Sequence, residues 1–196
     1  MTARIQNFKF YYPPTHQQVE GKNTSSSAVD DQSFVLVLIH GLNGNLMTWT
    51  PTLAPKLAEA TGMRVLTYDQ PCYGRNPLPF KNVDDDDGSE NENEQQQQQQ
   101  DPIEEMLEQL ETIMKPSNLA DELFKFLQAI NVVPSPKNDD PANADVSPLC
   151  QVKQQVKKPY IHIFGQSYGG KSALSFADKY PFLVASITLG DIGICP

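Results

Sequence analysis

The residues best placed to do chemistry are Gly165-Gln166-Ser167-Tyr168-Gly169-Gly170. A serine hydroxyl attacks a carbonyl only when a tight strand-to-helix turn holds it clear of the fold, and small neighbours permit the strained dihedrals of such a turn. Gly165, Gly169 and Gly170 are those neighbours. The apolar run 160–164 ahead of the turn predicts a strand, and 171–179 behind it predicts a helix. The same turn aims the backbone N–H of Tyr168, and the positive end of the new helix, at an oxygen that gains negative charge during attack. Ser167 is therefore the candidate nucleophile and Tyr168 N–H one candidate oxyanion donor.

A second donor has to come from a neighbouring loop. Phe34-Val35-Leu36-Val37-Leu38-Ile39 is a continuous apolar run, the pattern of a strand buried on both faces of a parallel sheet. It ends in His40-Gly41-Leu42-Asn43-Gly44-Asn45, a turn in which His40 and Gly41 shape the loop and Leu42 N–H becomes the partner of Tyr168 N–H. Downstream, 65–69 predicts another strand and runs into Gln70-Pro71-Cys72-Tyr73-Gly74-Arg75-Asn76.

In combination and order these stretches resemble the α/β-hydrolase superfamily over about residues 34–80, 117–133 and 159–196. The 69–76 segment is similar to that family's D-x-x-G-x-G-x-S loop, with Asp69 and Gly74 in place and Asn76 where serine is usual. The resemblance implies an α/β-hydrolase fold, mostly a parallel doubly wound sheet, carried here to about the sixth of the family's strands. It also implies a serine hydrolase that cleaves small carboxylic esters through an acyl-enzyme, with no metal and no organic cofactor. A haloalkane dehalogenase or epoxide hydrolase of this family would carry a carboxylate in place of Ser167; peptidase, thioesterase and lipase variants stay open.

After the turn, 182–189 predicts the next strand, followed by Gly190-Asp191-Ile192-Gly193-Ile194-Cys195-Pro196. This segment resembles the D-I-x-P stretch of a subset that includes abhydrolase-domain-containing protein 11 and short-acyl bacterial esterases. That resemblance implies Asp191 as the catalytic acid; the other reading is a structural Asp that caps the start of the lid. The base is missing. A serine nucleophile needs an imidazole oriented by a carboxylate, and in this family the histidine comes last in the chain. Of the three histidines, His16 lies in a polar stretch, His40 shapes the loop, and His162 alternates with Ile161 and Ile163 and is expected under a covering helix as a satisfied core residue. The expectation is that the catalytic histidine lies outside this sequence and that the chain is an incomplete single domain, because a cut after strand six leaves an apolar edge. The alternative function is an inactive relative that binds rather than cleaves.

Other elements must position these residues. Phe8, Phe10 and Tyr12 alternate as an edge strand before Pro13-Pro14. Thr48-Trp49-Thr50-Pro51 with Leu53 and Leu57 predicts the first helix, in which Trp49 either packs in the core or lines a pocket. Ile103, Met106, Leu107, Leu110, Ile113 and Met114 recur at helical spacing, and Leu119, Leu123, Phe124, Leu127 and Ile130 predict a helix capped by Ser117 or Asn118 and stopped at Asn131. Two insertions interrupt the pattern: an acidic and polyglutamine stretch at about 82–101, expected to be disordered, and a polar, proline-rich stretch at about 134–158.

Composition excludes some partners. The net charge is −9 with 39% hydrophobic residues, which leaves no basic patch for nucleic acid or anionic lipid. The three cysteines, Cys72, Cys150 and Cys195, have neither an even count nor a metal-like spacing and read as free thiols of a reducing compartment. No apolar stretch approaches the ~20 residues that a membrane span needs. The cytoplasm is the expected location, with a mitochondrial presequence as the alternative; the oligomeric state is left open.

Overall fold

The computed structural model describes residues 5, 7–14, 34–76, 102–136 and 147–192. His16, the stretch 82–101, Cys195 and part of the 134–158 insertion lie outside them. The described strands form one sheet of five in the order β1-β3-β2-β4-β5. They are β1 (Phe8–Tyr11), β2 (Val35–Ile39), β3 (Arg64–Tyr68), β4 (Ile161–Gln166) and β5 (Val184–Gly190). All neighbours run parallel except β1, which lies antiparallel on β3 with Phe8 opposite Tyr68. The helices are α1 (Leu53–Thr61), α2 (Pro102–Met114), α3 (Pro116–Ala129), α4 (Pro148–Gln155) and α5 (Tyr168–Lys179).

Alternation along the strands divides the core between the two faces of the sheet. Val35, Val37, Ile39, Leu66, Ile161 and Ile163 are buried against Leu123 and Leu127 of α3 and against Ala173 and Phe176 of α5. On the other face Leu38 and Val65 pack on Ala54 and Ala58 of α1 and on Trp49, whose ring meets Phe164 edge-on at 5.4 Å. Trp49 is thus a core residue, with its indole N–H lacking a partner among the described residues. Helix α1 ends at Gly62 in the left-handed conformation (φ 68°), a C-cap with no side-chain penalty.

The structure departs from the sequence expectations at several elements. His162 is half-buried rather than covered by a helix: its Nδ1 is 2.7 Å from Ser186 Oγ and its ring lies 5.3 Å from that of Phe34. The reason is that α1 covers the Leu38–Val65 part of this face and leaves the β4–β5 part open among the described residues. The expected first helix is split into a short 3-10 turn, Leu46–Thr48, and α1. Helix α3 is not capped by Ser117 or Asn118. It starts at Pro116, whose missing N–H is tolerated at the first position, while Asn118 Nδ2 donates to the Thr112 carbonyl at 2.6 Å. Within the polar 134–158 stretch, α4 forms behind Ser147, whose hydroxyl accepts from Cys150 N–H, and it buries Val152 in the core. Helix α2 forms as its spacing predicts but leaves Ile103 and Leu107 exposed, so its apolar stripe is only partly used.

Candidate active site

Ser167 is the single residue between β4 and α5, and it adopts φ 50°, ψ −120°. A non-glycine residue there carries a cost of order 1–3 kcal/mol, which persists only where the surroundings over-determine it. The surroundings do. Ser167 N–H donates to the Gly190 carbonyl at 2.8 Å, tying the turn to the end of β5, and the Ser167 carbonyl accepts from Gly170 N–H at 3.0 Å. The close packing requires glycine at two points in particular. A Cβ on Gly165 would stand 2.6 Å from the Gly169 carbonyl oxygen, and one on Gly169 would stand 2.6 Å from the carbonyl oxygen of Ile39. Gly170 lies against the side chain of Ile192.

The loop after β2 folds over this turn. A Cβ on Gly41 would come within 3.0 Å of Ser167 Cβ and 3.6 Å of Oγ, so any side chain at Gly41 would crowd the hydroxyl. Leu42 follows, exposed, and its backbone N–H has no acceptor among the described residues. The N–H of Tyr168, first in α5, likewise has none, as the opening turn of a helix dictates. The loop at Gly41 thus packs against the Ser167 turn, and each carries a backbone N–H without an acceptor among the described residues, the turn at the N-terminus of a 12-residue helix.

His40 is fully buried, and both of its ring nitrogens are engaged. Nε2 accepts the backbone N–H of Gln70 at 3.1 Å, which puts the proton on Nδ1, where it is donated to the Gly41 carbonyl at 2.8 Å. Burial lowers its pKa, opposed in part by that carbonyl and by Asp69. The edge of Tyr73 packs on the ring at 5.2 Å. His40 is committed at both ring nitrogens, and His162 lies five residues before Ser167 along extended β4, on the order of 16 Å away, so neither is placed to serve Ser167 as a base.

Asp69 is buried and accepts three hydrogen bonds. Oδ1 takes Leu46 N–H at 2.6 Å, while Oδ2 takes Asn7 Nδ2 at 2.6 Å and Arg75 N–H at 3.0 Å. Gly74, at φ 58°, leaves room for that carboxylate. Asn76 closes the loop by donating Nδ2 to the carbonyls of Asp69 and Gln70 and by accepting Asn7 N–H on Oδ1. Asp191, at φ 52°, directly follows Gly190 and so stands at the same end of the sheet as Ser167. It is exposed, and its carboxylate has no partner among the described residues. The Tyr168 hydroxyl donates to the Met114 carbonyl at 2.5 Å, joining α2 to the turn, and burial raises its pKa so that it stays a donor. Gln70 and Asn7 escaped the sequence reading: one polar residue after a strand and one near the N-terminus carry no periodic or motif signal. Among the described residues no cluster of His, Cys, Asp and Glu could hold a metal ion, and no helix is long and apolar enough to cross a membrane.

The sequence matches the family described as the alpha/beta hydrolase fold over residues 35–192. No curated protein matches it. Among solved structures the chain is similar to an esterase from a marine microorganism, at 16% identity and TM-score 0.50, over 95% of this chain and 41% of that one. It is also similar to a thermophilic esterase from Thermogutta terrifontis, at 15% identity and TM-score 0.51, over 96% and 41%. The epoxide hydrolase CorEH is similar at 13% identity and TM-score 0.50, over 94% and 38%. At such identities the likeness is one of fold, and the chain spans well under half the length of each of these proteins.

Proposed function

The chain belongs to the alpha/beta hydrolase fold family, and from that premise we propose that it is the nucleophile-bearing part of a serine hydrolase acting on small carboxylic esters. The observation that carries this reading is Ser167 at φ 50°, ψ −120°, with Gly41 packed against it and the N–H groups of Leu42 and Tyr168 without acceptors among the described residues. In this reading Ser167 Oγ attacks the ester carbonyl carbon and gives up its proton to an imidazole base. The carbonyl oxygen takes the negative charge between Leu42 N–H and Tyr168 N–H, and the alcohol leaves to give an acyl-enzyme that water then hydrolyses. Asp191 is proposed to orient that imidazole, because it follows Gly190, whose carbonyl holds Ser167 N–H, and its carboxylate has no partner among the described residues. The base itself comes from outside the described histidines. Two of the similar structures are esterases and one is an epoxide hydrolase; a hydroxyl at position 167, where a carboxylate nucleophile would otherwise stand, favours ester chemistry.

The test is labelling by a fluorophosphonate in the protein as it occurs naturally. The expected result is covalent modification at Ser167 that Ser167→Ala abolishes, together with ester turnover that Asp191→Asn lowers by orders of magnitude without unfolding the chain. Modification that persists in Ser167→Ala would remove Ser167 from the role. A natural protein that is folded yet neither labels nor turns over esters would favour a binding function, a reading that the commitment of both described histidines to other partners keeps in play.

A further inference from the structure

The oxyanion loop is held by a buried side chain that belongs to neither the loop nor the nucleophile turn. Gln70, on the segment after β3, is 1% exposed and bonds in three directions. Its backbone N–H donates to His40 Nε2 at 3.1 Å, its side-chain Nε2 donates to the His40 carbonyl at 2.7 Å, and its Oε1 accepts the hydroxyl of Ser172 on α5 at 3.4 Å. We propose that Gln70 is a positioning residue that aims the Leu42 N–H at the oxyanion and locks the loop to the helix that carries Ser167, an inference that rests on the reading of Ser167 and Leu42 given above.

Two consecutive peptide planes set the direction of Leu42 N–H. A trans peptide is flat and points its C=O and N–H in opposite directions, so whatever pins the carbonyl aims the amide. The plane joining His40 to Gly41 is pinned by the side-chain amide of Gln70 on the His40 carbonyl. The plane joining Gly41 to Leu42 is pinned at the Gly41 carbonyl, which accepts His40 Nδ1–H at 2.8 Å and Gly44 N–H at 3.1 Å. Neutral His40 donates from Nδ1 only while Nε2 is the acceptor, and the Gln70 backbone N–H selects that tautomer. With both carbonyls held by bonds inside the protein, Leu42 N–H, which has no acceptor among the described residues, is turned away from the Gly41 carbonyl, on the loop whose Gly41 packs against Ser167. Gly41, lacking a side chain, would turn freely without these bonds. The hydrogen bond from Ser172 fixes Gln70 to α5, so the donor loop and the nucleophile keep one relative position.

Gln70→Met keeps the volume and the backbone N–H, so the Gly41 carbonyl stays pinned by His40 and Gly44; it releases only the His40–Gly41 plane, on which the Leu42 plane is mounted, and the tie to Ser172, and so separates this role from simple packing. In the natural protein the fluorophosphonate inactivation rate constant, kinact, is expected to fall at least about tenfold, because a misaimed donor forfeits part of the hundredfold or more that one oxyanion donor supplies. The reversible term KI should stay within about twofold, since the probe's ground state does not use the hole. In parallel, backbone order parameters at Gly41 and Leu42, measured by NMR on the chain itself, are expected to drop from about 0.85 toward 0.6 while those of β2 and β4 hold. Should Gln70→Met fail to fold, Gln70→Asn, one methylene shorter, keeps the polarity but cannot reach both His40 and Ser172, and the same two readouts apply. Unchanged order parameters with unchanged kinact would overturn the inference. A natural protein that never labels at Ser167 would sink the nucleophile reading, yet the order parameters would still decide whether Gln70 holds the loop.

Discussion

The backbone of Ser167 makes a prediction whose sign, as well as its size, is diagnostic. At an ordinary position, replacing alanine by glycine destabilises a protein by roughly 0.5–1 kcal/mol through the entropy of the unfolded chain. At φ 50°, ψ −120° the alanine retains the steric cost that Ser167 itself bears, about 1–3 kcal/mol, whereas glycine does not. Ser167→Gly should therefore be more stable than Ser167→Ala, by up to about 2 kcal/mol and by about 1 kcal/mol in the middle of the range. Both variants lack the hydroxyl, which makes no capping bond, so lost hydrogen bonding does not enter the comparison. Urea unfolding followed by circular dichroism reads the difference as a shift in midpoint at constant m, and heating reads it as about 2–4 °C per kcal/mol for a chain of this size. A Ser167→Ala variant more stable than Ser167→Gly would refute the claim that this residue is held in a strained conformation, and with it the account of why the hydroxyl stands clear.

Three further outcomes follow from the surrounding contacts. Asp69→Ala should cost about 3 kcal/mol or more in chemical denaturation, since it strands the N–H groups of Leu46 and Arg75 and the amide of Asn7 in a buried site; a cost below about 1 kcal/mol would show that those donors find other partners. Gly165→Ala should cost about 1–3 kcal/mol and disturb the turn, because its Cβ would meet the backbone of Gly169 and Gly170 at 2.6–2.7 Å, atoms that cannot swing aside; a fully stable, crystallographically unchanged variant would contradict this. His40 has a folded pKa lowered from 6.5, mainly by burial, so the unfolded chain binds the extra proton first. Its contribution to stability is complete above pH 6.5 and is lost as pH falls from there toward the folded value. His40→Asn should flatten the stability-against-pH curve in that window, and an equally steep curve in the variant would assign the slope to other groups.

The local parts of the site were legible in the linear order of residues, and the reason is that they are set by contacts close in sequence. The glycines about Ser167, the apolar runs of β2 and β4 and the helical spacing of α3 each impose their conformation over a few positions. Asn131 is a similar case: it lies just beyond α3 at φ 57°, a conformation that asparagine tolerates. Where the expectations missed, a distant element had decided the matter. Which face of β4 would be covered depended on where α1 settled, so His162 came out half-exposed beside Ser186. The proline-rich stretch before β4 held a helix whose buried Val152 had no visible partner until Tyr160 and the sheet were in place.

By itself, then, the sequence determined that a serine would sit at a glycine-lined turn between a parallel strand and a helix, with a second loop able to offer a donor. Tertiary structure alone decided what holds that second loop in place. Gln70 reaches back 30 residues to His40 and forward 102 residues to Ser172, and Asp69 gathers donors from Asn7, Leu46 and Arg75. A hydrogen bond carries no trace in the spacing of its partners once they lie on different elements. Its direction exists only after the sheet has brought those elements to one end of the fold.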